Sequence, residues 1–246
     1  PTPVSALLHA VAVVKAGVFC VLKITVYVFG IDLLSSSGAS TLIIWVATAT
    51  MLLASLVALT QDNLKARLAY STVSQLSYIV LGAALATASS IAGASMHMAT
   101  HAVGKITLFF CAGAIYTAAK KTKVSELDGL AKAMPITFIA YTIAALSIIG
   151  LPPMAGSWSK WFLLDGALQA EYFWVAIAFI ISTLLNMAYL LPVVARGFFA
   201  PAKDTISGIK EAPWMCLLPL SITAISCFVL FFLLQELHLF LQPLFN

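Results

Sequence analysis

The chain has 246 residues, of which 62% are hydrophobic and 9% are charged, and its formal net charge is +4. A soluble domain has about 25% charged residues and cannot hide so much apolar surface in one core, so this composition excludes a soluble protein and requires lipid as the solvent. The small net charge, with its basic residues in a few loops, excludes nucleic acid as a partner.

Seven apolar segments are long enough to cross a bilayer as helices, which takes about 20 residues each. We name them a to g, and they comprise residues 3–28, 41–60, 66–87, 91–119, 135–166, 172–199 and 213–239. The sequence therefore predicts an all-α integral membrane protein with about seven transmembrane helices, in one domain that covers residues 1–246. The chain begins with Pro1 and shows no signal peptide, so we expect it to be a piece of a longer protein.

Segment a carries two ionisable residues that point in different directions. His9 and Lys15 are six residues apart, which places them on different faces of a helix. Lys15 lies near mid-helix, where a charge is costly unless it faces the interior of the bundle. Lys23 shares the face of Lys15 but lies nearer the helix end, so a position at the membrane surface is the better interpretation for it. We expect His9 and Lys15 to belong to a functional site.

Segment c has a polar face, formed by Ser71, Ser74, Gln75 and Tyr78 at helical spacing. Side chains of this kind hydrogen-bond neighbouring helices or hold water inside a bundle. Of these two roles we favour packing between helices.

Segment d carries the strongest pattern in the chain, the series His97, His101 and Lys105. A spacing of four residues places all three within an arc of about 80° on one helix face. Histidine exchanges protons near neutral pH, and a lysine deprived of water can do so too. We therefore predict a proton relay. The alternatives are satisfied packing residues or a zinc site, but a zinc site would lack a third ligand and would be repelled by Lys105.

Segment e is interrupted in its middle by two glycines and two prolines, Gly150, Pro152, Pro153 and Gly156. These residues cannot continue a regular helix, and broken backbone at membrane depth survives only where protein or a wet cavity covers it. We predict two half-helices, with a simple proline kink as the alternative. Lys160 follows the break and would end the proton path, unless it reaches the outer surface of the membrane. Asp165 would mark the outward end of that path.

Nine of the 13 basic residues fall in loops on one side of the predicted topology, and they are Lys65, Arg67, Lys120, Lys121, Lys123, Lys132, Arg196, Lys203 and Lys210. Cytoplasmic loops of membrane proteins carry such an excess of positive charge. The sequence therefore predicts a multi-pass protein of the inner (plasma) membrane, with the start of this chain in the cytoplasm and its end outside.

Several of these motifs are similar, in order and spacing, to the antiporter-like subunits of respiratory complex I, of Mrp-type multisubunit sodium/proton antiporters and of membrane-bound hydrogenases. The resemblance covers nearly the whole chain, and it rests on residues 1–9 and 14–17, 68–75, 97–105, 150–153 and 159–160. It implies a fold of fourteen transmembrane helices in two inverted five-helix repeats, each with a broken helix. This chain would be the C-terminal half, and residues 101–110 most resemble an Mrp D-type subunit.

The resemblance also implies roles for individual residues. His9, His97, His101, Lys105 and Lys160 match the positions of the family's central hydrophilic axis, and Lys160 matches its end towards the outer side. An acidic residue and a further lysine of that axis lie upstream of Pro1 in the family. Half of the implied channel is therefore missing from this chain.

The function predicted from the sequence is proton translocation in a multisubunit cation/proton antiporter of the Mrp type, with Na⁺ or K⁺ as the exchanged ion. A proton-pumping subunit of an NADH-quinone oxidoreductase or a membrane-bound hydrogenase is the alternative, and a non-conducting scaffold subunit is the second. A scaffold would not need a titratable stripe inside the bilayer, and a transporter of organic solutes would need an aromatic and polar cluster that is not evident. We expect lipid and other membrane subunits as partners, and no cofactor, metal or catalytic centre in this chain.

Overall fold

The structure of the protein, a computed structural model, describes residues 8, 12–31, 33–34, 38, 40–201 and 208–241. Its helices are α1 (Val13–Lys23), α2 (Ser40–Thr60), α3 (Leu64–Leu85), α4 (Ala88–Ala119), α5 (Pro135–Ile149), α6 (Gly156–Gln169), α7 (Phe173–Phe199) and α8 (Trp214–Leu241). A π-helical turn at Ile24–Phe29 continues α1, and two short 3-10 turns, Val124–Glu126 and Leu130–Lys132, separate α4 from α5. Segments b, c, d, f and g are thus α2, α3, α4, α7 and α8, and segment e is the pair α5 and α6.

Five of the described helices, α2, α3, α4, α7 and α8, are long and apolar enough to cross a membrane. Together with the broken pair α5 and α6, they confirm the predicted all-α membrane architecture. In the most apolar window of each helix, the buried share falls from 72% in α3 to 22% in α8. The helix α3 is therefore central in the bundle, and α8 presents most of its surface to lipid.

Two central helices begin at side chains that cap them. Asn63 Oδ1 accepts a hydrogen bond from Ala66 N–H at 3.1 Å at the start of α3, and Thr87 and Ser90 form a reciprocal capping box at the start of α4. Such caps satisfy amide groups that have no partner within the helix. The helix α4 has 32 residues. At a rise of about 1.5 Å per residue it is about 48 Å long, so it extends beyond a hydrocarbon core of about 30 Å.

The discontinuity that the sequence predicts in segment e lies between Ile149 and Gly156. With 15 and 14 residues, α5 and α6 are each too short to span the bilayer alone. Gly150 ends α5 with φ +90°, a left-handed conformation that favours glycine. A Cβ on Gly156 would lie 1.8 Å from the Ser147 carbonyl oxygen, so only glycine lets the two half-helices approach so closely. Ala155 N–H donates to the Cys227 carbonyl oxygen at 3.1 Å, which places α8 over the break.

Apolar side chains form two large clusters, one towards each end of the bundle. One cluster includes Leu68 of α3, Leu108 of α4 and Leu190 of α7, whereas the other includes Ile79 of α3 and Phe179 of α7. Between them, at the middle of α3, α4 and α7, the buried side chains are polar. This middle level of the bundle holds the residues that the sequence singles out.

Three connecting loops meet at one end of the molecule. Leu64 N–H donates to the Thr122 carbonyl oxygen at 2.9 Å, and Val124 N–H donates to the Asp62 carbonyl oxygen at 2.8 Å, so the α2–α3 loop pairs with the loop after α4. Arg196 at the end of α7 forms an ion pair with Asp128 at 3.2 Å. The loops that carry the excess of basic residues therefore lie together at this end.

Candidate functional site

A continuous layer of buried polar side chains lies between the two apolar clusters. We call it the polar layer, and its members are Lys15, Ser71, Gln75, His97, His101, Lys105, Ser159, Lys160, Ser182, Asn186 and Tyr189. All of them are buried except Lys160, which is half-buried. Ionisable groups inside a bilayer are costly, and they persist where they perform a function.

The first arm of the polar layer joins α1, α4 and α6 through two histidines. Lys15 Nζ lies 2.5 Å from His101 Nδ1, and His97 Nδ1 lies 3.0 Å from Ser159 Oγ. The two imidazole rings are neighbours, with their centroids 5.7 Å apart. When Lys15 is protonated it can only donate, so His101 then accepts at Nδ1 and holds its own proton at Nε2. His97 Nε2 and His101 Nε2 are buried and have no hydrogen-bonding partner among the described residues.

The second arm starts at Lys105, whose side chain is fully buried. Lys105 Nζ donates to Ser71 Oγ at 2.6 Å and to the Leu68 carbonyl oxygen at 3.2 Å. Ser71 Oγ lies 2.8 Å from the Tyr189 hydroxyl. The stripe of His97, His101 and Lys105 is thus on one helix face, as predicted, but its members hydrogen-bond three different neighbours: α6, α1 and α3.

Lys160 occupies the break of segment e. Its ammonium group donates to the Ile149 carbonyl oxygen at 3.0 Å, one of the last carbonyls of α5. It also lies 3.5 Å from Thr183 Oγ1 and 4.9 Å from the centre of the Tyr78 ring. Since the last carbonyls of a helix have no partner within it, Lys160 stabilises the end of the half-helix that precedes it.

Lys160 lines a cavity of about 370 Å³. The break contributes Gly150 and Pro152 to its wall, and α7 contributes Phe179 and Met187. The cavity is larger than several water molecules, which occupy about 30 Å³ each in the liquid. Lys160 therefore faces an opening of the bundle.

Asn186 joins the second arm to Lys160. When its amide oxygen is turned towards Lys160, that oxygen accepts from Lys160 Nζ at 3.0 Å and from Gln75 Nε2 at 2.9 Å, and the nitrogen donates to the Tyr189 hydroxyl at 2.5 Å and to the Ser182 carbonyl oxygen at 3.2 Å. This orientation gives both the oxygen and the nitrogen of the amide suitable partners, whereas in the opposite orientation the oxygen accepts from the Tyr189 hydroxyl. Lys105 and Lys160 are consequently connected through Ser71, Tyr189 and Asn186.

The charges of the polar layer are of one sign. Among the acidic residues that the structure describes, none lies in the layer, and Asp165, the nearest in sequence to Lys160, is half-buried. Asp165 accepts a hydrogen bond from Gln169 at 2.7 Å instead. With no negative charge nearby, protonation of one base opposes protonation of the next.

The comparisons with known proteins decide the family. Residues 1–186 match the family described as "NADH:quinone oxidoreductase/Mrp antiporter, TM". The chain belongs to this family. It is 42% identical over 155 residues to NADH-quinone oxidoreductase subunit N of Desulforudis audaxviator, which covers 63% of this chain and 31% of the relative. It is 34% identical over 238 residues to F(420)H(2) dehydrogenase subunit L of Methanosarcina mazei, which covers 92% of this chain and 34% of the relative.

A solved structure shows the same fold at lower identity. A chain of the Mrp complex from Dietzia sp. DQ12-45-1b superposes with a TM-score of 0.83 and 21% identity, over 95% of this chain and 51% of the other. The chain thus spans about a third of the length of the curated relatives and half of this structural neighbour. The family resemblance and the membrane architecture predicted from the sequence are both confirmed.

Not every residue predicted for the antiporter-like site has a place in the polar layer. Lys15, His97, His101, Lys105 and Lys160 lie in it. Lys23 is exposed, with Nζ 5.9 Å from the centre of the Phe19 ring. His9 lies outside the described residues. No group of three His, Cys, Asp or Glu side chains that could hold a metal ion is found in the described part of the chain.

Sequence reasoning missed Ser159, Asn186 and Tyr189, and it undervalued the polar face of α3. That face hydrogen-bonds neighbouring helices, the role favoured from the sequence, but its partners belong to the polar layer, because Ser71 contacts Lys105 and Gln75 contacts Asn186. The sequence of α7 contains a pattern that indicates a polar helix face. Ser182, Asn186 and Tyr189 follow one another at intervals of four and three residues, so they share one face of an otherwise apolar helix.

Proposed function

We propose that this chain is the C-terminal part of an antiporter-like subunit, and that it carries protons across the membrane through the polar layer. One observation supports this most: Lys15, His101, Lys105 and Lys160 lie in one layer between two apolar clusters, and no carboxylate of the described residues lies beside them. Bases that interact so closely titrate as a coupled set. A proton that binds one base is therefore repelled by the next charge and moves on.

The hydrogen bonds suggest an order of steps. A proton enters near His9 and reaches Lys15, which contacts His101. It then passes to the level of His97 and Lys105, and it leaves from Lys160 through the cavity at the break, with Asp165 at the outward end. Contacts in the structure support the middle of this path, because Lys15 contacts His101, the rings of His97 and His101 are neighbours, and Lys105 is connected to Lys160. The entry at His9, which lies outside the described residues, and the exit at Asp165 come from the sequence analysis.

The relatives favour a redox-driven complex, which was the alternative in the sequence analysis. The two curated relatives above are named as an NADH-quinone oxidoreductase subunit and an F(420)H(2) dehydrogenase subunit. An Mrp-type antiporter that exchanges Na⁺ or K⁺ is the second candidate, supported by the fold shared with the Mrp chain and by residues 101–110. In both cases the partners are other membrane subunits, and any redox chemistry belongs to them.

The orientation in the membrane follows from the basic loops. Residues 62–64, 122–128 and 196 meet at one end of the bundle, and the surrounding loops hold most of the basic residues. The positive-inside tendency assigns this end to the cytoplasm of the inner membrane. The break and Lys160 then serve the path to the outer side.

The test uses the full-length protein in its complex, in everted membrane vesicles with a pH-sensitive dye. Lys160→Ala should abolish proton translocation without preventing assembly, because the exit of the path loses its base. Lys132→Ala removes an exposed lysine from a 3-10 turn and should leave translocation unchanged. Normal translocation by an assembled Lys160→Ala complex would overturn the proposal and favour a scaffold.

The same vesicles separate the two kinds of complex. Proton flux on oxidation of NADH or another electron donor, without a response to added cations, supports the redox-driven type. Flux on addition of Na⁺ or K⁺, without a donor, supports the Mrp type.

A further inference from the structure

Asn186 belongs to a chain of hydrogen bonds that connects Lys160 to Lys105. Its amide touches Lys160 on one side and the Tyr189 hydroxyl on the other, and the Tyr189 hydroxyl leads through Ser71 to Lys105. Asn186, Tyr189 and Ser71 are all fully buried. An amide has a donor end and an acceptor end, so its orientation fixes the direction of every hydrogen bond between the two lysines.

When Lys160 is protonated, it sets the direction of all the hydrogen bonds between Lys160 and Lys105. Lys160 donates to the Asn186 oxygen, so the Asn186 nitrogen must donate to the oxygen of Tyr189. Tyr189 then uses its own proton to donate to Ser71. The Ser71 hydroxyl proton is left to donate to Lys105, which suits a neutral amine with a free electron pair.

When Lys105 is protonated, the same chain runs in reverse. Lys105 donates to Ser71, Ser71 donates to Tyr189, and Tyr189 donates to Asn186, which must then present its oxygen. The Asn186 nitrogen now faces Lys160, which suits a neutral amine. Gln75 can follow this rotation, because its Oε1 is buried without a partner among the described residues and can accept from the turned nitrogen.

We propose that Asn186 is a positioning residue whose amide rotation, transmitted through Tyr189 and Ser71, makes protonation of Lys160 and of Lys105 mutually exclusive. This rests on the proposed function, since it explains how one proton is released as the next is taken up. The amide carries no proton itself. The rotation gives up the hydrogen bond from Asn186 to the Ser182 carbonyl oxygen. Along the bridge of Ser71, Tyr189 and Asn186 only the direction of the hydrogen bonds changes, so no covalent bond forms or breaks there.

Other titratable groups face the two lysines, and they do not duplicate this bridge. The ring of Tyr78 of α3 lies under the Lys160 ammonium group, and Lys15 of α1 contacts His101 of α4. His97 of α4 hydrogen-bonds Ser159, the neighbour of Lys160 in sequence. None of these contacts joins Lys105 to Lys160, whereas the bridge of Ser71, Tyr189 and Asn186 does.

The test compares Asn186→Leu, Tyr189→Phe and the double variant, each in the full-length protein within its complex. Proton translocation is measured in vesicles over a range of pH. Each single change should lower the maximal rate about tenfold, roughly the effect of one lost buried hydrogen bond. The double variant should be no slower than either single one, because the bridge is interrupted only once.

The pH profile supplies a readout that a merely structural role would not move. If transport requires one proton shared between the two lysines, its bell-shaped profile spans the two ionisation steps of the coupled pair. Loss of the bridge weakens the coupling, so the profile should become narrower in each variant. Tyr141→Phe is the matched control, since Tyr141 is also fully buried and its hydroxyl has no partner among the described residues.

Three outcomes would overturn the bridge: wild-type rate and profile width in assembled Tyr189→Phe, a double variant whose loss is the product of the single losses, or an equal narrowing in Tyr141→Phe. Tyr189→Phe removes a single oxygen atom, so it decides the matter if Asn186→Leu does not assemble. Failure of the proposed function is recognised separately, by translocation that survives Lys160→Ala.

Discussion

Replacing Gly156 with alanine should separate the two half-helices and slow proton transport. The new Cβ would lie 1.8 Å from the Ser147 carbonyl oxygen, whereas ordinary contacts begin at about 3.4 Å. The Ser147 oxygen belongs to the backbone and the Cβ position is fixed by the backbone of residue 156, so no side chain can turn aside, and α6 must move away from α5 by about 1.6 Å. Overpacking of this kind costs about 1–3 kcal/mol of folding stability.

The same movement displaces Lys160 from its contacts at the end of α5. Its 3.0 Å hydrogen bond to the Ile149 carbonyl oxygen would lengthen beyond useful range. A misplacement of about 1 Å can reduce a rate by about a hundredfold, so we expect a loss of this order in proton translocation. Translocation in vesicles and thermal unfolding of the purified complex are the two measurements.

Gly17→Ala is the matched control for this substitution. Gly17 is exposed on α1, and a Cβ at this position meets nothing within 4 Å. Alanine is about 1 kcal/mol more favourable than glycine inside a helix, so this variant should keep full transport and unfold no more easily. Full transport by Gly156→Ala, at an unchanged unfolding temperature, would refute the role assigned to the close approach at the break.

Two further perturbations follow from contacts in the layer and in the loops. Lys15→Leu should allow assembly, because Lys15 is buried and has no carboxylate partner among the described residues. It should slow proton transport in vesicles about a hundredfold, the lower end of the range for a positioned acid or base. Transport at the normal rate would exclude Lys15 from the path. At the loop end, the Ser125 hydroxyl and N–H groups donate to the Asp62 carboxylate and hold the pKa of Asp62 below its usual value. This contact therefore stabilises the loop above the unfolded pKa of about 3.9 and is lost as the pH falls through the folded pKa. The measurement is the protection factor of the amides of residues 122–125 against hydrogen exchange at each pH. These amides should lose protection at acid pH in the wild type and at all pH values in Asp62→Ala. Equal protection in the two proteins near neutral pH would contradict this.

Local patterns in the sequence predicted what depends on a single helix. The intervals of four residues between His97, His101 and Lys105 set their common face, and Gly150 and the two following prolines set the break, because both effects act within a few residues. The contact between Lys15 and His101 spans 86 positions, and that between Lys105 and Ser71 spans 34. Such contacts depend on how helices pack, which no local pattern encodes.

The polar face of α7 is a second example of a contact that the sequence does not predict. Its polar face was readable, but nothing in the sequence tells which lysine lies opposite Asn186. Serine and asparagine also occur in transmembrane helices as ordinary packing groups, so their presence alone does not indicate a site. The position of the lysines and histidines in apolar segments singled them out, the family resemblance agreed for all of them but Lys15, and the structure adds the neutral residues that connect them.

The composition of α4 has a consequence for biogenesis. Each lysine at the centre of a helix disfavours insertion from the translocon by about 2.5–3.5 kcal/mol, and α4 carries Lys105 near its middle together with two histidines. The Lys105 ammonium is satisfied by Ser71 and Leu68 of α3, the helix that leaves the ribosome just before it. The helix α4 should therefore enter the lipid as a hairpin with α3. A substitution that removes the contacts of α3 with Lys105 should first cause α4 to fail to insert.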